Sequence, residues 1–386
     1  MTAVKLYGSA FLRGAIEPDV LVTIRDGVLD IEQTAHPPEQ AQRVAGILAP
    51  GFIDLHVHGG DGADFMDADG SANARILRFH ARHGTTALAA TTLSASPGDL
   101  HTAVSSIARS TRAPTAGAEI CAIHLEGPYI NRERAGAQDP ASIRRPDLQE
   151  VETLLALAPR MKWLMTVAPE IDGVRGLIER FRSRITFSIG HTAAGYDEAV
   201  AALAWGASHF THLFNAMSGL HHRDPGVAGA ALTSASATAE LIADGIHVHP
   251  AVLRLAAQAM PLRIALITDA IRACGLADGT YTLYRHDVTV RDGAARLGDG
   301  TLAGSLLTME RAVQIMVEQA GLPLQAVLPL ATEVPARILG IADRKGRLAE
   351  GYDADVVVLS PKLAVERVFV KGRELPVAPW SSPNKD

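Results

Sequence analysis

Short apolar runs rich in β-branched residues alternate with longer helical stretches between residues 45 and 339. In the longer stretches apolar residues recur every three to four positions, which predicts helices at residues 72–83, 146–158, 196–205 and 250–260. The short runs predict eight strands, at residues 47–57, 85–93, 120–126, 163–168, 185–191, 209–214, 239–245 and 264–269. Repeated strand–helix units favour a parallel sheet, and eight of them predict an α/β fold of the (β/α)₈ TIM-like barrel type. An open, doubly wound sheet is the alternative architecture.

The two ends of the chain have a different pattern. Residues 4–25 and 354–374 alternate apolar and polar positions as strands do, with turn signals at Asp26-Gly27 and Lys371-Gly372. A chain of 386 residues also exceeds what one core usually accommodates. We therefore predict a small β-sandwich domain built from both termini, residues 1–48 and 346–386, beside a barrel domain of residues 49–345.

Composition excludes several function classes. The chain is 47% hydrophobic and 20% charged, as globular proteins are, and no window approaches the roughly 18 apolar residues of a membrane helix. A net charge of -6 without Lys/Arg runs argues against nucleic-acid binding. Only Cys121 and Cys274 are present, and residues 1–11 lack the pattern of a secretory signal. We expect a cytoplasmic protein with no disulfide framework.

Residue types that bind metals occur at the ends of several predicted strands. In a parallel barrel the carboxyl ends of the strands carry the active site. The ligand-type residues at these ends are His56 and His58 in the first run, Glu126 in the third, His191 in the fifth, His212 in the sixth and Asp269 in the eighth. His56 and His58 are two residues apart, so both imidazoles face the same side of a strand. Hydrogen-bonded core or rim histidines are the alternative for this pair taken alone.

These residue types suggest a chemistry. Imidazoles and carboxylates without thiolates suit Zn²⁺ or Fe²⁺ in an open catalytic site. Asp269 closes the last strand, where a carboxylate beside an activated water would accept its proton and later pass it to a leaving amine. The alternative for Asp269 is a helix N-cap, because Thr268-Asp269-Ala270 also fits a strand-to-helix junction.

Longer motifs carry a family resemblance over nearly the whole chain. They are PGFIDLHVHG, HLEGPYI, GHTAA, THLFNAM, ADGIHV, TDAI and GTLAGSLLTM, followed by the closing segment at residues 346–372. In this order they resemble the N-acetylglucosamine-6-phosphate deacetylases of the amidohydrolase superfamily. The resemblance implies hydrolysis of N-acetylglucosamine 6-phosphate to glucosamine 6-phosphate and acetate by metal-activated water, in amino-sugar catabolism and cell-wall recycling.

The resemblance also implies roles for the strand-end residues. Glu126, His191 and His212 would hold the principal metal ion, and Asp269 would be the general base and then the general acid. His56 and His58 would complete a second metal position, with Glu126 as the bridging carboxylate. The expected cofactor is one or two divalent ions.

Substrate contacts follow from the same resemblance. The positions that correspond to the family's substrate contacts are Ala137, Gln138, Asn215, Ala216, Arg223, His247 and Leu302. Arg223 is expected to reach into the site of a neighbouring subunit, which implies a homodimer. A guanidinium is well suited to pair with a phosphate. Without the resemblance, Arg223 would be a solvated loop residue and His247 a structural cap.

One position departs from the family pattern. Gln138 stands where the family usually has a histidine that helps polarise the acetyl carbonyl. Three explanations are open: the metal alone polarises the carbonyl, His221 or His222 moves in, or the preferred substrate is N-acetylgalactosamine 6-phosphate or another N-acyl compound. A phosphosugar isomerase or aldolase is a more distant alternative, but no run ends in lysine. A non-catalytic metal-binding protein would have no use for Asp269.

Overall fold

The computed structural model describes residues 3–112 and 116–377, so residues 1–2 and 378–386 of the predicted small domain lie outside it. The chain begins with four strands that precede the barrel. They are β1 (Val4–Leu12), β2 (Ala15–Arg25), β3 (Val28–Gln33) and β4 (Gln42–Pro50). The first predicted run, 47–57, therefore contains the end of β4 and a separate barrel strand, because the chain changes sheets at Gly51.

Eight parallel strands form the central barrel, and a short hairpin follows the first of them. The strands in chain order are β5 (Phe52–Val57), the hairpin β6 (Gly59–Gly60) and β7 (Ala63–Asp64), then β8 (Thr85–Thr92), β9 (Glu119–Glu126), β10 (Lys162–Val167), β11 (Thr186–Ile189), β12 (His209–Phe210), β13 (Thr238–Ile242) and β14 (Ile264–Ile267). Each barrel strand pairs with the next in sequence. Two backbone bonds join the ends of β5 and β14: His58 N–H donates to Ala270 O at 2.9 Å, and Asp269 N–H donates to His56 O at 2.8 Å.

The ring of strands is thus closed, and the predicted (β/α)₈ barrel is confirmed. The open doubly wound sheet is wrong, since its strand order would reverse at the middle. Every residue of β5 and β8 is buried, as expected for parallel strands that are covered on both faces.

Ten α-helices surround the barrel in the described ranges. They are α1 (Gly70–Arg82), α2 (Pro97–Ser110), α3 (Leu148–Leu157), α4 (Val174–Phe181), α5 (Tyr196–Trp205), α6 (Gly226–Thr233), α7 (Pro250–Ala259), α8 (Met309–Glu318), α9 (Leu324–Ala331) and α10 (Glu333–Ile338). The four predicted helices correspond to α1, α3, α5 and α7. No helix within residues 3–112 and 116–377 has the length and apolar character needed to cross a bilayer.

A three-stranded sheet follows the last barrel strand. It consists of β15 (Gly279–Leu283), β16 (His286–Arg291) and β17 (Ala294–Arg296). In the described structure the next helix after Asp269 is α8, which begins at Met309. The helix N-cap alternative for Asp269 is therefore wrong, because an N-cap must directly precede its helix.

The two chain ends share one seven-stranded sheet. Its last strands are β18 (Val356–Leu359), β19 (Val365–Val370) and β20 (Arg373–Leu375). The order is β20-β19-β18-β4-β1-β2-β3, and β18 pairs antiparallel with β4. Leu6, Val22, Leu48 and Phe369 belong to one buried apolar cluster, so the sheet encloses a core of its own. The predicted pairing of the two termini is confirmed.

A buried lysine ties this sheet to the end of the barrel opposite the strands' carboxyl ends. The side chain of Lys345 is 1% exposed, and its Nζ lies 2.5 Å from Asp355, 2.9 Å from Asp353 and 2.9 Å from Glu119. Glu119 begins β9, whereas the two aspartates directly precede β18. Burial raises the pKa of Glu119, but the charge of Lys345 and the hydrogen bond from Arg344 lower it to about 2.

We expect Lys345→Met to lower the thermal unfolding midpoint by on the order of 5–10 °C at neutral pH. The variant leaves three carboxylates facing one another, and breaking a buried pair costs about 3–5 kcal/mol. Because the folded pKa of Glu119 lies below its ordinary value, its stabilising effect is present above that ordinary pKa and is lost as pH falls towards 2. The difference from wild type should therefore shrink below about pH 4. Differential scanning fluorimetry across pH measures this.

Lys371→Met is the matched control. Lys371 also contacts Glu119, at 3.0 Å, but its side chain is 49% exposed. Exposed pairs contribute about 0–1 kcal/mol, so the midpoint should move little. Equal midpoints for the two variants would show that the buried lysine does not hold the two units together.

Candidate metal centre and active site

Six ligand-type side chains meet at the carboxyl end of the barrel. His56 and Glu126 lie on β5 and β9, whereas His58, His191, His212 and Asp269 follow the ends of β5, β11, β12 and β14. His191, His212 and Asp269 have positive φ angles of 47°, 26° and 52°. Left-handed backbone is unfavourable for residues other than glycine and concentrates at functional sites. These three residues were predicted within the strands, but they occupy the turns that follow.

The first cluster consists of Glu126, His191 and His212. Glu126 Oε1 lies 3.1 Å from Nε2 of each histidine, and the two Nε2 atoms are 3.0 Å apart. On the opposite side of each ring, Nδ1 faces a backbone carbonyl: that of Arg134 at 2.8 Å for His191 and that of Asn215 at 3.2 Å for His212. A carbonyl only accepts, so Nδ1 carries a hydrogen and Nε2 is the nitrogen available to bind a metal ion. Two Nε2 atoms and a carboxylate oxygen thus converge.

The second cluster shares Glu126. His56 Nε2 lies 3.2 Å from Glu126 Oε1, and His58 Nε2 lies 3.2 Å from Glu126 Oε2. Asp269 Oδ1 is 3.3 Å from His58 Nε2 and 3.6 Å from His56 Nε2. The carboxylate of Glu126 therefore lies between two histidine pairs, and Asp269 lies beside the second pair.

Electrostatics at the site favour positive charge. Burial lowers the pKa of His56, but the charges of Glu126 and Glu240 raise it well above its ordinary value. Burial also lowers the pKa of His58, but hydrogen bonds to Asp269 and Glu126 raise it to about 9. Despite its burial, the charges of His56 and His191 hold the pKa of Glu126 well below its usual range. The same field would attract a cation.

The donor set fits a divalent metal ion. The ligand atoms of Glu126, His191 and His212 all lie within 4.8 Å of one another, as do those of His56, His58 and Glu126. Imidazole nitrogen with carboxylate oxygen is a set that Zn²⁺ and Fe²⁺ accept. The converging Nε2 lone pairs would repel one another and Glu126 unless a cation or protons lay between them.

A pocket of about 370 Å³ lies above these residues. Among the predicted substrate residues, those that line it are Ala137, Gln138, Asn215, Ala216, His247 and Leu302. Arg223 is not among the lining residues of the described chain; it is exposed, and its Nη1 lies 2.8 Å from His222 Nε2. The exposed His221 and His222 do not line the pocket in this structure either.

Gln138 is buried and anchored at both ends of its amide. Its Nε2 donates to Glu126 Oε2, and its Oε1 accepts from the backbone N–H of Ser94 at 2.6 Å. The Gln138 amide therefore holds the Glu126 carboxylate, which both clusters share, in position. This contact indicates a second use for the residue besides contacting substrate.

His247 is oriented by Asp244, which the sequence analysis missed. Asp244 Oδ2 lies 2.6 Å from His247 Nδ1, and Asp244 Oδ1 accepts from the His247 backbone N–H at 2.8 Å. Burial lowers the pKa of His247, but the bond to Asp244 and its charge raise it. Nδ1 is thereby occupied, which leaves Nε2 for a ligand.

The sequence pattern of the Amidohydrolase family matches residues 47–375 of this chain. The chain belongs to the amidohydrolase family. It is similar, at 40% identity over 91% of its length and 91% of the relative, to an N-acetylglucosamine-6-phosphate deacetylase of Bacillus subtilis (strain 168). It is also similar, at 36% identity over 92% of this chain and 94% of the relative, to an N-acetylgalactosamine-6-phosphate deacetylase of Escherichia coli O157:H7.

A solved structure agrees with these relatives. A mutant N-acetyl-D-glucosamine-6-phosphate deacetylase from Mycobacterium smegmatis, in complex with N-acetyl-D-glucosamine-6-phosphate, matches with a TM-score of 0.91 and 37% identity. The match covers 97% of this chain and 99% of that one. The family resemblance inferred from the motifs is confirmed.

Beneath the two ligand-type clusters, this amidohydrolase has a buried polar layer that the sequence pattern did not predict. It includes His124, His209 and Glu240, all 0% exposed. One signal was available for His124, which stands two residues before Glu126 and so shares its face of β9. Barrel interiors are filled mainly by apolar side chains, so the strand ends alone do not predict polar residues deeper in the barrel.

Proposed function

We propose that this amidohydrolase hydrolyses N-acetylglucosamine 6-phosphate to glucosamine 6-phosphate and acetate, in amino-sugar catabolism and cell-wall recycling. The observation that carries the proposal is the arrangement around Glu126. Four imidazoles surround one buried carboxylate, and Asp269 lies beside them on the floor of the pocket. The names of the relatives from Bacillus subtilis and Mycobacterium smegmatis support the substrate.

The residues that would hold metal are those of the two clusters. Glu126, His191 and His212 would hold the principal ion, and His56 and His58 would complete a second position that shares Glu126. A bound divalent ion supplies Lewis-acid chemistry, since it acidifies water and polarises an amide carbonyl. We propose Zn²⁺ or Fe²⁺, because these ions accept nitrogen and carboxylate donors.

Asp269 would move the proton. Burial raises its pKa, but the hydrogen bond to His58 and the charge of His56 lower it below its ordinary value, so the carboxylate is ionised at neutral pH and accepts a proton. In the proposed reaction it takes a proton from the attacking water, whose oxygen joins the acetyl carbon. It then delivers that proton to the nitrogen as the carbon–nitrogen bond breaks, which gives acetate and the free amine.

The pocket residues would position the sugar phosphate. Asn215, Ala216 and His247 line one part of the pocket and Ala137, Gln138 and Leu302 line another. Holding the sugar at several points would fix the acetamido group over the metal site. Arg223 would supply a guanidinium to the phosphate of a neighbouring subunit, which makes the functional unit a homodimer.

Two further assignments belong to the proposal. Both cysteines are free thiols and buried, which supports a cytoplasmic protein. The domain boundaries would fall near residues 48 and 346, where the chain passes between the terminal sheet and the barrel.

N-acetylgalactosamine 6-phosphate is the second candidate substrate. It is supported by the named activity of the Escherichia coli relative and by Gln138, which departs from the family's usual histidine. The two sugars differ only in the configuration of one hydroxyl group. Direct comparison of the two compounds is therefore the test.

We expect the enzyme to release acetate from phosphorylated N-acetyl amino sugars. Release from the same sugars without phosphate should be at least about tenfold slower, because the loss of a charged contact costs about 2 kcal/mol or more. Metal-free enzyme, prepared with a chelator and checked by elemental analysis, should be inactive, and Zn²⁺ or Fe²⁺ should restore activity. Full activity in verified metal-free enzyme would contradict the proposed chemistry. Equal rates with and without phosphate would contradict the substrate class.

A further inference from the structure

Glu240 is a buried carboxylate in the barrel interior with no role in the proposed reaction. It lies on β13 and is fully inaccessible to solvent. Its Oε2 lies 2.9 Å from His56 Nδ1 and accepts from the backbone N–H of His212 at 3.2 Å. A buried carboxylate is costly unless hydrogen-bonded or paired, so these contacts are what keep it there.

The contact determines which nitrogen of His56 faces the site. A carboxylate accepts, so Nδ1–H donates to Glu240, and Nε2 is the nitrogen that faces Glu126 and would bind a metal ion. His191 and His212 are oriented by neutral backbone carbonyls instead. For His58, Nδ1 has no hydrogen-bond partner among residues 3–112 and 116–377. Of the four imidazoles around Glu126, His56 is therefore the one that has a carboxylate behind it.

We propose that Glu240 is a positioning residue for the second metal position of the proposed active site. Glu240 fixes the ring of His56 and places a negative charge at its Nδ1 side. In this way Glu240 raises the affinity of the His56–His58 position for a divalent ion, although Glu240 itself does not contact that ion. Partners of this kind behind a ligating histidine typically change metal affinity by 10–100-fold. The inference rests on the proposed metal site but does not depend on which substrate is used.

Two imidazoles lie beside the other oxygen of the Glu240 carboxylate, at ion-pair distance and without a hydrogen bond to it in the described chain. Its Oε1 lies 3.4 Å from His209 Nε2 and 3.8 Å from His124 Nδ1. His209 is in turn held by Thr238 at 2.7 Å, and His124 by Thr166 at 2.8 Å. The carboxylate is thus enclosed by side chains that are themselves fixed.

The geometry predicts that the two metal positions respond differently to loss of the charge. His212 also contacts Glu240, but its ring is separately oriented by Asn215 O. The next residue, Leu213, donates its backbone N–H to the backbone carbonyl of Glu240 at 2.9 Å, and a side-chain substitution keeps that bond. His56 has no such second support at Nδ1.

The test is a metal titration of Glu240→Gln. Metal-free protein is titrated with Zn²⁺ in competition with a chromophoric chelator, and with Co²⁺ followed by visible absorption. Wild type should bind two ions per chain. In Glu240→Gln the tighter ion should be retained within about threefold, and the weaker ion should lose 10–100-fold in affinity.

Three further variants make the result specific. Ser188→Ala is the matched control, because Ser188 is buried in the same layer and contacts Thr211 at 2.5 Å rather than a histidine; both affinities should stay unchanged. A double His56→Ala, His58→Ala variant should bind one ion and identifies the second position. Glu240→Asp keeps the charge but moves it away from His56, so its affinity for the weaker ion should lie between those of wild type and Glu240→Gln. This variant replaces Glu240→Gln in the test if Glu240→Gln does not fold.

Three outcomes would overturn the proposal: unchanged affinities in both Glu240 variants, equal weakening of both ions, or a single ion in wild type. None of these measurements uses substrate. Absence of deacetylase activity would therefore contradict the proposed function and leave the role of Glu240 to be decided by the titration.

Discussion

Replacing Asp269 with asparagine should lower kcat by roughly 10²–10⁴-fold, the range that a positioned acid–base group contributes. Asparagine has the same shape, but its amide cannot accept a proton from water or return one to the leaving nitrogen. The variant should still fold, because the backbone bonds of Asp269 to His56 and Ser305 do not involve the side chain. Acetate release under saturating substrate measures kcat, and elemental analysis measures bound metal.

Two measurements separate a proton-transfer role from a structural one. Asp269→Asn should retain the ion of the principal cluster, since Asp269 lies outside Glu126, His191 and His212. Asp61→Asn is the control, because Asp61 pairs with a half-exposed arginine, Arg75, at 3.0 Å and should keep near-normal turnover. Near-normal turnover in Asp269→Asn itself would remove that residue from the mechanism.

The strand-end argument worked for this site because the barrel topology converts sequence order into spatial proximity. The carboxyl ends of all eight strands meet on one face, so Glu126 and Asp269, far apart in sequence, become neighbours of His58. The pattern of apolar residues was enough to locate the strands, because parallel strands that are buried on both faces are nearly continuous apolar runs. Their exact ends were not predictable, because His191 and His212 adopt left-handed backbone angles that an apolar pattern does not encode.

Other features depended on contacts that periodicity does not encode. Glu240 occurs in a short apolar run, and its meaning appears only once β13 is placed across the barrel from His56. The sheet β15–β17 was not predicted, because a (β/α)₈ barrel does not require a sheet after its eighth strand. Gln138 was expected to face the substrate alone, whereas its amide also braces Glu126, a contact set by tertiary packing of its loop.

Arg223→Ala should raise KM by roughly 30- to 4 × 10³-fold, because truncating one member of a desolvated charge pair costs about 2–5 kcal/mol. Arg223 is exposed and does not line the pocket of its own chain, so this loss is expected only if its guanidinium completes a neighbouring site. Arg223→Lys should recover part of the loss, since an ammonium keeps the charge but not the bidentate geometry. Steady-state kinetics with the phosphorylated substrate measure both variants, and KM for the same sugar without phosphate should not change.

Mixing Arg223→Ala with Asp269→Asn distinguishes an arginine that acts within its own chain from one that acts across a dimer. In a mixed dimer the Arg223→Ala chain keeps its own Asp269 and receives the arginine of its partner, so one of the two sites is complete. Random exchange of subunits at equal concentrations makes half of the dimers mixed, which restores about a quarter of the wild-type sites. If Arg223 served its own chain, or if the protein were monomeric, the mixture would show only the summed residual activities of the two variants, and the proposed cross-subunit role would be wrong.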